Sequence, residues 1–205
     1  MKENIIQISK LLLVCVISAA VLAYVYGITK EPIEKAKQSE TIAALKSVVT
    51  VDSDKETIIE QDTLQDESGN KYPIYRIIYS DSSVAGMAVK TFSNNGYGGK
   101  IIIMLGVDKD FTITGLYPLE FSETPGLGTK MTKDEFKGQF SGKNTDNFVF
   151  KVQKDGGDVV AITSATITSR AVTEAVEKGL VLLKEHFALP VETDSIKAEE
   201  GENVN

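Results

Sequence analysis

The feature that most constrains this chain is an unbroken apolar run near its N-terminus. Leu11–Ile28 reads LLLVCVISAAVLAYVYGI, 18 residues without a charge, held between Lys10 and Lys30. As an α-helix it spans about 27 Å, close to the ~30 Å hydrocarbon core of a bilayer. Ile5, Ile6 and Ile8 can extend it, and Tyr24 and Tyr26 stand near one end, where aromatic side chains favour the interface. The rival reading is a cleaved signal peptide, with Ser18-Ala19-Ala20 as the small-residue cleavage site. Cutting there leaves about seven apolar residues, the short limit of a signal core. Residues 1–28 therefore read as a tail and a single-pass anchor in a cell membrane. Flanking charge leaves orientation open, with Lys2 and Lys10 on one side and Lys30, Lys35 and Lys37 on the other. Cys15, inside the run, reads as a small apolar filler.

Composition narrows the chemistry open to the rest of the chain. The 205 residues carry a net charge of −7, which argues against nucleic-acid binding, since that calls for a basic stripe. Five acids after Pro190 (Glu192, Asp194, Glu199, Glu200 and Glu202) stand against Lys197, so the excess is mostly a property of the tail, 189–205, which reads as disordered. One Cys excludes an internal disulfide and a thiolate metal site. One His, His186, excludes a multi-histidine metal site and makes a His-centred triad a poor reading. No metal site and no acid–base catalyst for a diffusible substrate is identified. Redox chemistry on this chain would require an organic cofactor.

Periodicity lays out an α+β domain. Pro32 suits a first helical turn, so residues 29–50 read as a juxtamembrane helix with Ile33, Ala36, Ile42, Leu45 and Val49 on one face. Residues 51–188 read as the domain proper. Strands are expected at Thr57–Glu60, Tyr72–Ser80, Val84–Phe92, Lys100–Val107 and Phe111–Phe121, with turns at Ser68-Gly69-Asn70 and Asp108-Lys109-Asp110. Thr132–Phe140 reads as a short helix with Thr132 and Glu135 as a capping box. Phe148–Gln153 and Val159–Ile162 read as further strands around Gly156-Gly157. Ser169–Phe187 is an amphipathic helix, with Val172, Val176, Leu180, Leu183 and Phe187 recurring every three or four residues, Thr168 or Ser169 as its cap, and His186 where a cation suits the helix dipole.

Three loops could carry chemistry. Asn95-Gly96-Tyr97-Gly98-Gly99 permits close backbone approach, or is a mobile hairpin tip. Glu123-Thr124-Pro125-Gly126-Leu127-Gly128 contains a Pro-Gly type II turn signal, and serves either a ligand or a chain reversal. Ala161–Arg170 joins a strand to the amphipathic helix, and half of its residues bear hydroxyls. A helix N-terminus favours a phosphate, yet Ser and Thr there are also ordinary caps. It is not a P-loop, because GxxxxGK[ST] is absent.

The order GYGG, ETPGLG, then a SATIT turn before a helix resembles the FMN-binding domain of membrane electron-transport complexes. It is similar above all to the G subunit of the Rnf-type ion-translocating oxidoreductase, and next to the C subunit of the sodium-translocating NADH:quinone oxidoreductase. The resemblance covers nearly the whole chain except the acidic tail. It implies covalent FMN, joined through its phosphate to a Thr in a pattern that Thr163, Ser164, Ala165, Thr166, Ile167 and Thr168 occupy here, which makes Thr166 the attached residue. Ser169, Gly96, Tyr97, Gly98, Glu123, Thr124, Pro125, Gly126, Leu127 and Gly128 complete the implied cofactor site, with Tyr97 or Leu127 against the isoalloxazine and Arg170 as the nearest cation. The resemblance further implies an electron-relay role between ferredoxin and NAD coupled to Na⁺ or H⁺ movement, other membrane subunits as partners, and a flavin transferase acting outside the cytoplasm. Residues 29–205 would then be extracytoplasmic. The alternative is a tethered FMN module of an extracytoplasmic reductase or sensor without ion coupling. The chain departs from the family pattern at Ser164, where many members have Gly, at Val160, where many have Asp, and at Phe121-Ser122, where a basic or imidazole residue is common.

Overall fold

The computed structural model describes residues 2–51, 56–66 and 68–188, so the acidic tail lies outside the described residues. The chain divides into two units at Leu45/Lys46. The first is helical: α1 runs Lys2–Val48 and ends inside the second unit. It is long and apolar enough to cross a membrane. Its apolar run leaves Leu11, Leu22 and Tyr24 exposed, as a lipid-facing helix requires.

Pro32 does not begin a second helix; it sits inside α1. Proline removes one i→i−4 hydrogen bond, and the helix continues past that loss. One turn earlier the Thr29 hydroxyl donates to the Val25 carbonyl at 2.8 Å. The expected common apolar face is also not buried along its length, since Ile33 and Ile42 remain exposed.

The second unit is built on an antiparallel meander of five strands: β1 (Thr57–Gln65), β2 (Lys71–Tyr79), β3 (Val84–Gly96), β4 (Gly99–Val107) and β5 (Ile113–Glu120). An aspartate closes three of its four turns. Asp66 Oδ1 accepts the N–H groups of Ser68 and Asn70, Asp81 Oδ1 that of Ser83, and Asp108 Oδ1 those of Asp110 and Thr112. These are Asx turns, in which a short carboxylate satisfies backbone donors two to four residues on. The fourth turn, Tyr97-Gly98, is flanked instead by the pair Gly96 and Gly99, and Gly99 has φ +103°.

Alternation along β4 sends Ile101, Ile103, Leu105 and Val107 to one face, all buried. That face is covered by α3 (Thr166–Ala188). Gly179 allows the close approach: a Cβ there would lie 3.0–3.1 Å from side-chain atoms of Leu105, Thr91 and Val89. The Thr91 hydroxyl donates to the Ala175 carbonyl at 3.1 Å across the same interface. On the opposite face, Gly106 of β4 and its neighbour Gly115 of β5 leave a hollow for Val48. A Cβ on Gly115 would stand 2.7 Å from Val48 Cα.

Asp66 does more than close its turn. Its Oδ2 accepts from Asn70 Nδ2 (2.9 Å), the Tyr72 hydroxyl (2.8 Å) and Lys178 Nζ (3.4 Å), tying the β1–β2 turn to α3. The Asn70 amide, with Tyr72 and Lys178, holds the Asp66 carboxyl well below the usual carboxylate range.

Beyond β5 the chain departs from the sequence expectations. The helix expected over Thr132–Phe140 is only α2, Asp134–Lys137, preceded by a 3₁₀ turn over Gly128–Thr132. No capping box forms: Lys133 occupies the N-cap without a side-chain bond, and the Thr132 hydroxyl donates back to the Thr129 carbonyl. The strands expected at Phe148–Gln153 and Val159–Ile162 reduce to one parallel bridge, Val152 to Val159. Their backbone groups are consumed locally, Lys151 N–H by Val149 O, Asp155 N–H by Val152 O and Val149 N–H by Asp158 Oδ2. Gly156, with φ +81°, turns the chain there. Phe136, Phe140 and Phe150 pack as a buried aromatic group under this region.

Candidate functional site

α3 begins at Thr166, three residues before the expected start at Ser169. Thr168 and Ser169 are therefore not caps; they face inward from the first turn. Ser169 is fully buried, its Oγ donating to Ala165 O (3.0 Å) and accepting from Ile162 N–H (2.9 Å). One hydroxyl thus closes the strand-to-helix turn from inside. The turn is completed by Ser164 in the left-handed region, φ +64°, and by Ala165 N–H bonding Ile162 O at 2.9 Å. The first N–H used in the helical ladder is that of Ser169, to Ala165 O at 3.0 Å. The N–H groups of Thr166, Ile167 and Thr168 precede it and carry the positive end of the helix dipole.

The second loop folds as its sequence demands. Thr124–Leu127 is a turn closed by Leu127 N–H to Thr124 O at 3.2 Å, with Gly126 at φ +76° in its third position, as a type II turn requires. The Thr129 hydroxyl accepts the Gly126 N–H at 2.9 Å, a support that the sequence does not announce.

Glu123 joins all three loops. It is 6% exposed, its Oε1 accepts the Gly98 N–H at 3.1 Å, and its Oε2 accepts the Thr168 hydroxyl proton at 2.6 Å. The glycines around it make the room. A Cβ on Gly96 would lie 2.8 Å from Glu123 Oε1, and one on Gly128 2.8 Å from Glu123 Cβ and 2.9 Å from Thr168 Oγ1. A Cβ on Gly98 would run into the Ser122 backbone. These glycines let loop pack against loop around the Glu123 side chain.

Together the loops enclose a cleft of about 460 Å³, within the usual range for a small-molecule site. Its lining comprises Tyr97, Glu123, Thr124, Leu127 and Gly128 from the two glycine loops, and Ser164, Ala165, Thr166, Ile167 and Thr168 from the turn and α3. Tyr97, at 70% exposure, and Leu127 and Ile167, also exposed, are apolar surfaces standing open at the cleft. Ile167 stands within the SATIT turn, but nothing in the sequence marks its side chain as part of the cleft lining. Of the residues expected at the site, Gly96 and Gly98 lie behind the cleft, Ser169 lies beneath the turn, and Thr163, Pro125 and Gly126 are not part of the lining.

Arg170 also stands elsewhere. Its guanidinium makes a bidentate pair with Asp155, at 2.6 and 2.7 Å. That pairing raises the Arg170 pKa and lowers that of Asp155. The positive potential on the cleft side comes from the helix N-terminus instead. His186 lies in the last turn of α3, exposed, with its ring edge-on to Phe187 at 4.6 Å.

A family described as an FMN-binding domain matches residues 96–181, a span that begins in the first loop and ends in α3. The chain is 33% identical over 186 residues to the G subunit of the ion-translocating oxidoreductase complex of Aliivibrio fischeri, covering 86% of this chain and 88% of that one. It is 32% identical over 183 residues to the G subunit of the proton-translocating ferredoxin:NAD(+) oxidoreductase complex of Clostridium ljungdahlii, covering 87% and 91%. In fold it is similar to the crystal structure of the C subunit of the Na(+)-translocating NADH-quinone reductase from Parabacteroides distasonis, with a TM-score of 0.52 and 22% identity over 75% of this chain and 94% of that one.

Proposed function

The chain belongs to the G-subunit family of ion-translocating oxidoreductase complexes, and from that membership we propose that it is a membrane-anchored electron relay whose FMN is joined through its phosphate to Thr166. Electrons pass through it between ferredoxin and NAD, coupled to ion movement by the other membrane subunits of the complex.

One observation carries the site assignment. Among the described hydroxyls of the turn, Thr166 combines three properties: it lines the cleft, it stands at the first helical residue, and it has no side-chain hydrogen bond. Thr168 is committed to Glu123 and Ser169 to the turn backbone. Ser164 lines the cleft but precedes the helix.

The residues present fit FMN. The N–H groups of the first turn of α3 favour the remaining negative charge of a phosphodiester on Thr166. The exposed faces of Tyr97, Leu127 and Ile167 offer apolar contact to a planar ring. When bound, the flavin supplies reversible electron transfer, and the protein sets its position and surroundings.

Attachment is a phosphoryl-type transfer made by a flavin transferase from FAD. The Thr166 Oγ1–phosphorus bond forms, the pyrophosphate bond breaks, and AMP leaves as the hydroxyl proton is lost. Such maturation outside the cytoplasm places residues 29–205 on the extracytoplasmic side, with 1–28 as tail and anchor, 51–188 as the FMN domain and 189–205 as an acidic tail.

The test is direct. The full chain is co-expressed with a flavin transferase, denatured, and run on a gel under ultraviolet light. A fluorescent band that Thr166→Ala abolishes is expected. A band that survives this substitution, or no band from the native chain, overturns the assignment.

A further inference from the structure

The carboxylate of Glu123 is the one acidic side chain lining the cleft, and it is the only group in contact with both the Gly98 loop and the first turn of α3 among the hydrogen bonds described there. It is buried, and two of the surrounding glycines, Gly96 and Gly128, leave the space it fills. A buried carboxylate costs free energy unless it is hydrogen-bonded, and here one oxygen takes a backbone N–H and the other a hydroxyl. An apolar side chain would leave both donors unpaired, so the junction of the loops calls for an acceptor, and a carboxylate there brings its charge to the cleft lining.

We propose that Glu123 is a positioning residue that clasps the three loops into one cleft and, through its negative charge inside that cleft, lowers the reduction potential of the flavin held there. The inference rests on the flavin reading above. Reduction of the flavin by two electrons with uptake of one proton adds one negative charge to it. A carboxylate lining the same cleft opposes that charge, and because Glu123 is itself buried the opposition is weakly screened. Thr168 moderates the effect: its hydroxyl donates to Oε2 and draws off part of the charge.

Clasp and charge separate experimentally because two nearly isosteric substitutions act on them differently. Glu123→Gln keeps the shape and removes the charge. Thr168→Val keeps the charge and removes one bond of the clasp. Both are made in the full chain, flavinylated by co-expression with the transferase, and the midpoint potential of the bound flavin is measured by spectroelectrochemical titration. Glu123→Gln is expected to raise the potential by at least a tenfold change in the reduction equilibrium, about 30 mV for a two-electron couple. Thr168→Val is expected to lower it, because Oε2 then keeps the charge that the hydroxyl had drawn off. A loop that merely loosened would move both variants the same way.

An unmoved potential in Glu123→Gln, or an equal rise in both variants, overturns the proposal while the Thr166 assignment stands. If Glu123→Gln does not accumulate as folded, flavinylated protein, Thr168→Val decides alone: a raised or unmoved potential overturns the proposal and a lowered one supports it. A native chain that takes no flavin overturns this inference and the proposed function together.

Discussion

The hairpin tip at Gly98 is where the loop packing is least forgiving. A methyl group there would meet the carbonyl of Ser122, stand 2.5 Å from its carbonyl carbon and lie 3.2 Å from Glu123 N. The obstacle is backbone, so no side chain can turn aside. In Gly98→Ala the tip must lift by more than about 1 Å to reach ordinary contact distance. That displacement stretches the 3.1 Å bond from Gly98 N–H to Glu123 Oε1 beyond bonding. Overpacking of this kind costs about 1–3 kcal/mol, and a lost hydrogen bond to a charged group about 1.5–3 kcal/mol. The combined loss is about 3–5 kcal/mol, since part of the strain relaxes when the bond breaks. At roughly 2–4 °C per kcal/mol for a domain of this size, the melting temperature falls by about 10 °C. Thermal unfolding of the full chain in detergent, followed by circular dichroism, reads it. Gly142→Ala is the control: its Cβ would meet open space, and only the left-handed φ of +72° opposes it, at about 1–2 kcal/mol. If Gly98→Ala melts no lower than Gly142→Ala, the loop does not pack on Ser122 as described.

Two further outcomes come from other contacts. The Asp66 carboxyl has its pKa lowered in the folded state, so its contribution to stability is intact above its unfolded value of about 4 and is lost as pH falls below that. Asp66→Asn is expected to melt lower than the native chain at pH 7, and the difference is expected to shrink when the melts are repeated below pH 4; a constant difference contradicts the linkage. Arg170→Ala breaks an exposed pair with Asp155 rather than a contact in the cleft. It is expected to leave fluorescent labelling at Thr166 at the native level with a smaller thermal shift than Gly98→Ala, and loss of labelling would place the guanidinium in the site after all.

Much of the site is legible as local chemistry. Pro125-Gly126 specifies its turn because only a residue free of Cβ readily takes φ +76° after proline. The Asp-closed turns at Asp66 and Asp108 are readable because donor and acceptor lie within a few residues. The period of Val172, Val176, Leu180 and Leu183 sets α3, and all four are buried. The misread caps share one cause. Thr132, Thr168 and Ser169 are good caps by type, but their hydroxyls find partners elsewhere: Thr129 O, Glu123 and the buried turn at Ala165 and Ile162. Phe148–Gln153 has strand-like composition, yet its backbone is spent on local turns before a ladder can form.

By itself the sequence determined the long apolar helix, the five strands of the sheet and the positions of three small-residue loops, because each arises from periodicity, length or turn geometry within about twenty residues. Tertiary structure alone decided what those loops do to one another. Glu123 lies 25 residues from Gly98 and 45 from Thr168, and neither separation carries a local signal. Only the folded meander brings β3–β4, the end of β5 and the start of α3 to one place. There the burial of a single carboxylate selects which glycines must be glycine, which threonine is tied, and which is left facing the cleft.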